Sequence, residues 1–319
     1  MAITDKQRER QKAAAAYFRK VIGGTQAPRN QIASLSGLSN TYICHLEKGH
    51  IANASRDKLV AFGVGVGLDL GEIDKLLVVF GLPALSREDI PLFIASPGRR
   101  KISKAMLPLH DWYSYELHIM IVERTRGSLI IVNDRPTAAL TPEGFRSYVD
   151  RKLLKSHPIY GDLIEAVGRE RTGNLTRKLA DSTVEHYICR RCLEEYVRGC
   201  DDPVESVWRR KHVEQLIWYV ANFKNFRLFV CDSCSRFTFT VSIPRDAADG
   251  AEKLLFMGRA PHGSPRDGLD HIAGFTTENQ LVVANFKEGL EAIRSKVIPG
   301  LKNREKLLRY LRELAKEKE

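Results

Sequence analysis

The sequence predicts a multi-domain chain: an all-α N-terminal domain of five short helices, followed by a larger α/β (or α+β) domain. Three observations carry this reading. The chain has 319 residues, room for two or three domains at roughly 100–200 residues each. Residues 1–80 hold five segments with helical apolar spacing, each closed by a glycine or opened by a capping residue. Beyond a Pro- and Gly-broken stretch, helical periods alternate with short β-branched and aromatic runs. Hydrophobic residues make up 43% and charged residues 28%, which excludes wholesale disorder. No apolar run reaches the roughly 18–20 residues that a membrane span needs.

The first helix is expected over 6–22, where Ala13, Ala14, Ala15 and Ala16 favour helix and Tyr17, Phe18, Val21 and Ile22 supply an apolar face. Gly23 and Gly24 end it. A second covers 28–36, with Pro28 in its first turn and Ile32, Ala33 and Leu35 facing inward. Gly37 makes the turn to a third helix over 40–48, capped by Ser39 and ended by Gly49. Ser55 caps a fourth over 56–64, and Ile73, Leu76, Leu77 and Phe80 mark a fifth over 70–80. The Gly63–Gly67 run of alternating glycines follows a helix instead of a strand, which speaks against a phosphate-cradling loop.

Residues 81–104, with Pro83, Pro91, Pro97, Gly98 and the cluster Arg99-Arg100-Lys101, read as a linker. The body, 105–300, is expected to hold helices at 111–124, 142–155, 161–168, 183–198 and 203–222. Strands are expected at 128–132, 226–230, 237–242 and 253–257, with further strands at 270–275 and 281–284 and a helix at 285–297. Residues 301–319 form a C-terminal amphipathic helix, with Leu307, Leu308, Leu311 and Leu314 on one face. Two heptads make a weak coiled coil, so this face is expected to pack on the body.

Charge is unevenly spread. The net charge is +11 and the pI about 9.4. Residues 1–105 carry 16 basic and 9 acidic side chains, and 301–319 carry 7 and 4, whereas 106–300 are nearly balanced at 27 and 26. A basic segment joined to a near-neutral body is what a polyanion-binding module would show, and also what an ordinary solvated surface would show. The N-terminus, charged and without an apolar centre, lacks the pattern of a secretory signal, so a cytoplasmic location is expected.

The most informative stretch runs from Gln31 to Gly49. Two short helices cross here through a tight turn. Ala33 permits close approach, and Gly37 supplies the turn. Ile32, Leu38, Ile43 and Leu46 point to the bundle, leaving Asn40, Thr41, Cys44, His45 and Lys48 outward. A helix apolar on one side and short-polar on the other suits the major groove of B-DNA. This pattern, ending in Leu46-Glu47-Lys48-Gly49, resembles the helix-turn-helix of lambda-repressor-like, XRE-family regulators over about residues 12–80. The turn at Gly23–Pro28 is atypical of that family, and 50–55 lack its frequent basic or Pro residues.

The resemblance implies an all-α five-helix helix-turn-helix domain followed by a regulatory domain. It implies that Asn40, Thr41 and His45 face base edges, while Arg29 and Ser39 touch phosphate. Tyr42 stacks on the backbone or packs inside, Lys48 and His50 are weaker phosphate contacts, and Gln31 is counted with the DNA-binding set. Its partners would be double-stranded DNA read as a homodimer on an inverted repeat, and a small-molecule effector. The family contains repressors.

Four of the six cysteines form two C-x-x-C pairs, Cys189/Cys192 and Cys231/Cys234. Such pairs can close a tetrahedral zinc site. The interval between them exceeds that of a compact zinc ribbon, and the first pair falls in an expected helix, so plain buried thiols stand beside the zinc reading. No catalytic constellation stands out: there is no H-x-x-x-H, G-x-S-x-G or P-loop, and His262-Gly263-Ser264 has no visible partner. The succession 225–241 and 279–297 resembles the phospholipase-D-like sensor half of some bacterial regulators, but without the His-x-Lys pairs that catalysis needs. That resemblance implies a non-enzymatic sensing or dimerising unit. Two other classes remain open at this point: an enzyme or a metal- or redox-dependent domain targeted to DNA, and an interaction protein of the phage or toxin–antitoxin kind.

Overall fold

The computed structural model describes residues 5–25, 28–51, 53–95, 106–109, 112–146, 148, 157–235, 237–258 and 274–316. The architecture is mixed α/β, divided into two compact units. One comprises residues 1–103 with 154–163, and the other 104–153 with 164–319.

The first unit is all-helical over its described residues. Its helices are α1 (Asp5–Gly24), α2 (Arg29–Ser36), α3 (Asn40–Glu47), α4 (Arg56–Val66), α5 (Leu70–Val79) and α6 (Ile90–Ala95). The core closes on Phe18, whose ring lies 4.4 Å from that of Phe62 and 6.4 Å, edge-on, from Phe80. Ile32, Ile43, Leu59, Val64, Ile73, Leu76 and Leu77 are fully buried around it. The helix starts follow from capping: Ser39 Oγ accepts from Tyr42 N, and Asp69 and Glu72 form a reciprocal capping box at α5.

The alternating glycines serve packing. They lie within and just after α4, where Gly67 (φ 79°) ends the helix. A Cβ at Gly65 would sit 2.5 Å from Ser36 Cα and 2.7 Å from Leu35 O, so α2 lies against bare α4 backbone. A Cβ at Gly63 would meet Ile73 Cγ1 at 2.7 Å.

The expectation of a linker over 81–104 is corrected over 87–95, because those residues form a 3-10 turn and α6, with Phe93 fully buried. Arg56 holds this segment, donating to both Asp89 carboxylate oxygens at 2.5 and 2.6 Å and to the Pro83 and Ala84 carbonyls. Residues 96–104 of the expected linker lie outside the described residues.

The second unit contains a seven-stranded sheet among the described residues, in the order β1-β7-β6-β5-β2-β3-β4. The strands are β1 (Leu107–Leu109), β2 (Gly127–Asn133), β3 (Val184–Cys189), β4 (Phe226–Cys231), β5 (Phe237–Pro244), β6 (Lys253–Gly258) and β7 (Gly274–Thr277). Strands β2, β3 and β4 are parallel; the other pairings are antiparallel. The helices are α7 (Trp112–Arg124), α8 (Tyr160–Asp181, shared between the two residue groups), α9 (Arg190–Arg198), α10 (Pro203–Asn222), α11 (Gln280–Arg294) and α12 (Arg304–Ala315). On one sheet face Ile130, Val132, Tyr187, Phe239 and Val241 pack with Val283 and Leu290 of α11. The opposite-facing Leu129, Ile131, Val184, Leu228 and Val230 are equally buried, as a parallel sheet covered on both sides requires.

Two further expectations are corrected. Residues 183–198 are not one helix but β3 followed by α9, because Val184–Cys189 pair with β4 on one side and Val184–Ile188 with β2 on the other. Residues 281–284 are helix, not strand, because Asn279 Oδ1 accepts from Leu281 N and Val282 N and starts α11. The expected helix at 161–168 is part of the longer α8. Residues 147 and 149–155 of the expected 142–155 helix, and His262-Gly263-Ser264, lie outside the described residues. The C-terminal helix packs within the unit, burying Leu307, Leu311 and Leu314, with α12 against α10. Arg304 donates to the last carbonyls of α10, Val220 O and Ala221 O.

Gly65→Ala is expected to destabilise the helical unit by about 1–3 kcal/mol, since the new methyl meets backbone and α2 must move. Gly23→Ala, with nothing within 4 Å of the added Cβ, is expected to be neutral or slightly stabilising. Denaturant unfolding of the two variants checks this; equal stabilities would contradict the close approach of α2 and α4.

Candidate functional site

In the helical unit, α3 is anchored from within. Ile43 is fully buried and Leu46 is 1% exposed. Gly49 (φ 72°) turns the chain away where a Cβ would lie 3.3 Å from Ala15 Cβ, so α1 passes close to the end of α3. With that side fixed, Ser39, Asn40, Thr41, His45 and Lys48 are all exposed. Ser39 caps the helix through its hydroxyl oxygen, and the hydroxyl proton remains its donor toward the outside.

Three other expected contact residues are engaged or partly covered within the unit. Arg29 is engaged by Glu47 at 2.7 Å, so the guanidinium links the start of α2 to the end of α3. Tyr42 is half-buried, with Lys58 Nζ 4.3 Å from its ring centre. Gln31 is half-buried beside Asn30, whose Oδ1 accepts from its backbone N–H. Lys58 is exposed in the first turn of α4 and adds a cation beside α3 that the motif did not indicate. The only sequence signal for it was the Ser55 cap, which places residue 58 one turn into α4.

In the sheet unit, the C-terminal ends of the parallel strands gather a second cluster. Cys189 ends β3 and is the N-cap residue of α9; Cys192 lies in the first turn of α9; Cys234 comes from the loop between β4 and β5. The three sulfurs lie within 4.8 Å of one another, with Cys192 Sγ and Cys234 Sγ 3.4 Å apart. Cys189 and Cys192 are buried and Cys234 is exposed. Hydrogen bonding from Cys192, then from the backbone N–H groups at the start of α9, draws the Cys189 thiol below its ordinary range.

Of the four expected cysteines, Cys231 is the one outside this cluster. Although Cys231 stands opposite Cys189 in the ladder, its side chain joins the apolar cluster under α11, with Sγ 3.8 Å from Ile293 O. Burial, and then the neighbouring Cys189, pushes that thiol up to about 11.

The same unit buries an unusual number of ionisable groups, and they answer one another. Arg171 of α8 donates to Glu116 at 2.5 Å and to both oxygens of Glu123, joining α7 to α8. Burial still pushes the Glu123 carboxyl up. Lys178 donates to the carbonyls of Thr125 and Gly127 and is pushed down to about 8 by burial. His212 Nε2 lies 3.0 Å from the Thr137 carbonyl, which can only accept. The ring is therefore protonated at Nε2, and Nδ1 accepts from Tyr196 O–H at 2.8 Å. Burial holds His212 at about 3 and His186, on β3, at about 4.

No known protein family, no curated protein and no solved structure matches the chain. Among the described residues, no helix is long and apolar enough to cross a membrane.

The two buried histidines set a pH dependence. Both are held below the ordinary 6.5, so the unfolded chain takes up protons first. Their contribution to stability is complete above pH 6.5 and is lost as pH falls from 6.5 towards about 4, by up to about 1.4 kcal/mol per pH unit for each histidine. Thermal unfolding followed across that window is expected to show the decline, and His186→Phe is expected to flatten it. An identical slope in the variant would contradict the assignment.

Proposed function

We propose that this chain is a sequence-specific DNA-binding transcriptional regulator. In this reading the helical unit is a helix-turn-helix domain of the XRE kind and α3 is its recognition helix. The observation that carries the reading is the split character of α3: Ile43 and Leu46 wholly inward, and an exposed row of Asn40, Thr41 and His45 outward. Short polar side chains on a helix of this size are those that reach base edges in the major groove. Asn40 can pair bidentately with adenine, and Thr41 can meet a thymine methyl or a polar edge.

Phosphate contacts fall to Lys48, Lys58, Ser39 and the N-terminus of α3, with Arg29 acting mainly as a brace through Glu47. The basic excess of residues 1–105, 16 against 9, supports a large sequence-independent component that weakens steeply with salt. The sheet unit serves as the dimerising and effector-responding part. Two copies related by a two-fold axis would then read half-sites about 34 Å apart on an inverted repeat. Acting as a repressor fits this scheme, and none of it calls for catalysis.

The test is selection of duplexes from a random-sequence pool by the full chain, followed by affinity measurement. An enriched inverted repeat is expected. Asn40→Ala is expected to lose about 1–3 kcal/mol of discrimination between the selected and scrambled sequences, while Lys48→Ala weakens both alike and lowers the salt slope. Failure to enrich any sequence, or an equal loss on both duplexes for Asn40→Ala, overturns the assignment.

A further inference from the structure

We infer that Cys189, Cys192 and Cys234 form a three-thiolate site for a thiophilic metal ion of the zinc class, with the fourth coordination position open to solvent. The inference is independent of the DNA-binding reading.

The first ground is spacing. Two thiolates bound to zinc at about 2.3 Å in tetrahedral geometry lie about 3.8 Å apart. Here the three sulfurs already fall within 4.8 Å of one another, the closest pair at 3.4 Å. A bound ion would need only rotamer-scale adjustments. The separation is that of unbonded sulfurs, far above the roughly 2.05 Å of a disulfide.

The second ground is how the site is built. The ligands come from three successive features at one end of the parallel ladder: the last residue of β3, the first turn of α9 and the β4–β5 loop. Cys189 and Cys192 sit on regular structure and are pre-positioned, while Cys234 is brought from a loop. Metal binding would therefore clamp that loop onto α9.

The third ground is charge. Three thiolates and a divalent ion leave one net negative charge. Arg190 and Arg191 lie between the two cysteines, at the positive N-terminal end of α9. Arg190 reaches Asp232 at 3.8 Å and Arg191 reaches Glu195 at 2.7 Å, both at exposed positions.

The fourth position follows from what surrounds the cluster. Among the described residues no His, Asp or Glu joins the three sulfurs, and Cys231, the ladder neighbour of Cys189, lies outside the cluster with its Sγ 3.8 Å from Ile293 O. The adjoining crevice is lined by Cys189 and Cys231 together with the polar Asn133, Asp134, Ser233 and Ser235. Three protein ligands and one exchangeable position characterise metal sites that act or respond, as opposed to closed structural sites.

The test uses the full chain, reduced and then handled without oxygen, titrated with Co(II) as a spectroscopic substitute for zinc. A thiolate-to-cobalt charge-transfer band saturating at one ion per chain is expected, and it should disappear on adding zinc. Cys192→Ser and Cys234→Ser are each expected to weaken binding at least about tenfold, whereas Cys231→Ser and Cys200→Ser should bind like the wild type. Circular dichroism checks the fold of each variant, and Cys234→Ser, exposed on its loop, is the one least tied to folding. Zinc should also raise the thermal midpoint of the wild type but not that of Cys234→Ser. Absence of the band in the wild type overturns the inference. So does its loss in Cys231→Ser with the fold intact, or recovery of Cys192 and Cys234 as a disulfide in the presence of saturating zinc.

Discussion

The constraint on which the helical unit depends is the fixed roll of α3 about its own axis. Ile43 and Leu46 are buried essentially completely, and their spacing allows only one face of an eight-residue helix to turn inward. The partner helix α2 is held just as firmly, because Gly65 lets its backbone press on α4. The Arg29–Glu47 ion pair then joins the beginning of α2 to the end of α3. Its guanidinium is half exposed, so it adds little stability. Everything proposed for Asn40, Thr41 and His45 follows from this, since a rigid rod with a fixed roll presents the same side chains at every encounter.

The sheet unit follows a different logic. Its parallel strands β2, β3 and β4 all end on one side, and their loops and the α9 N-terminus converge there. In open α/β sheets that edge is the usual place for ligands. The thiol cluster lies at this edge. Behind it, buried polar and charged groups are matched in place: Arg171 with Glu116 and Glu123, Lys178 with two carbonyls, and the neutral His212 between Tyr196 and Thr137. Removing either partner from such pairs leaves a costly orphan, so the interior is polar yet intolerant of change.

Much of the helical unit was legible in the sequence because capping residues, glycines and 3.6-residue periodicity agree there; Ser39 and Gly37 mark boundaries that the structure shares. The outward row of α3 was legible for the same reason. Arg29 was not, because an ion pair between helices leaves no mark in local spacing. The β3 strand was misread because Arg190 to Val197 carries a strong helical pattern that masks the alternation just before it, Val184, His186 and Ile188 against Glu185, Tyr187 and Cys189. Asn279 outweighed the β-branched look of Val282-Val283. The cysteine pairs were visible as motifs, but which sulfurs meet depends on the turns after the strands. Cys189 and Cys231 share a ladder position and a sheet face, and it is the start of α9 and the turn after β4 that bring Cys192 and Cys234 together.

The most direct measurement on α3 is fluorescence anisotropy of a labelled duplex with wild-type protein and with Thr41→Glu. Thr41 is exposed in the first turn of α3, where a carboxylate favours the helix by a few tenths of a kcal/mol yet repels DNA. The expected result is a thermal midpoint equal to or above that of the wild type together with loss of binding by more than about tenfold. Unchanged affinity in a folded Thr41→Glu protein, or no duplex binding by the wild type even at low salt, would contradict the role of α3.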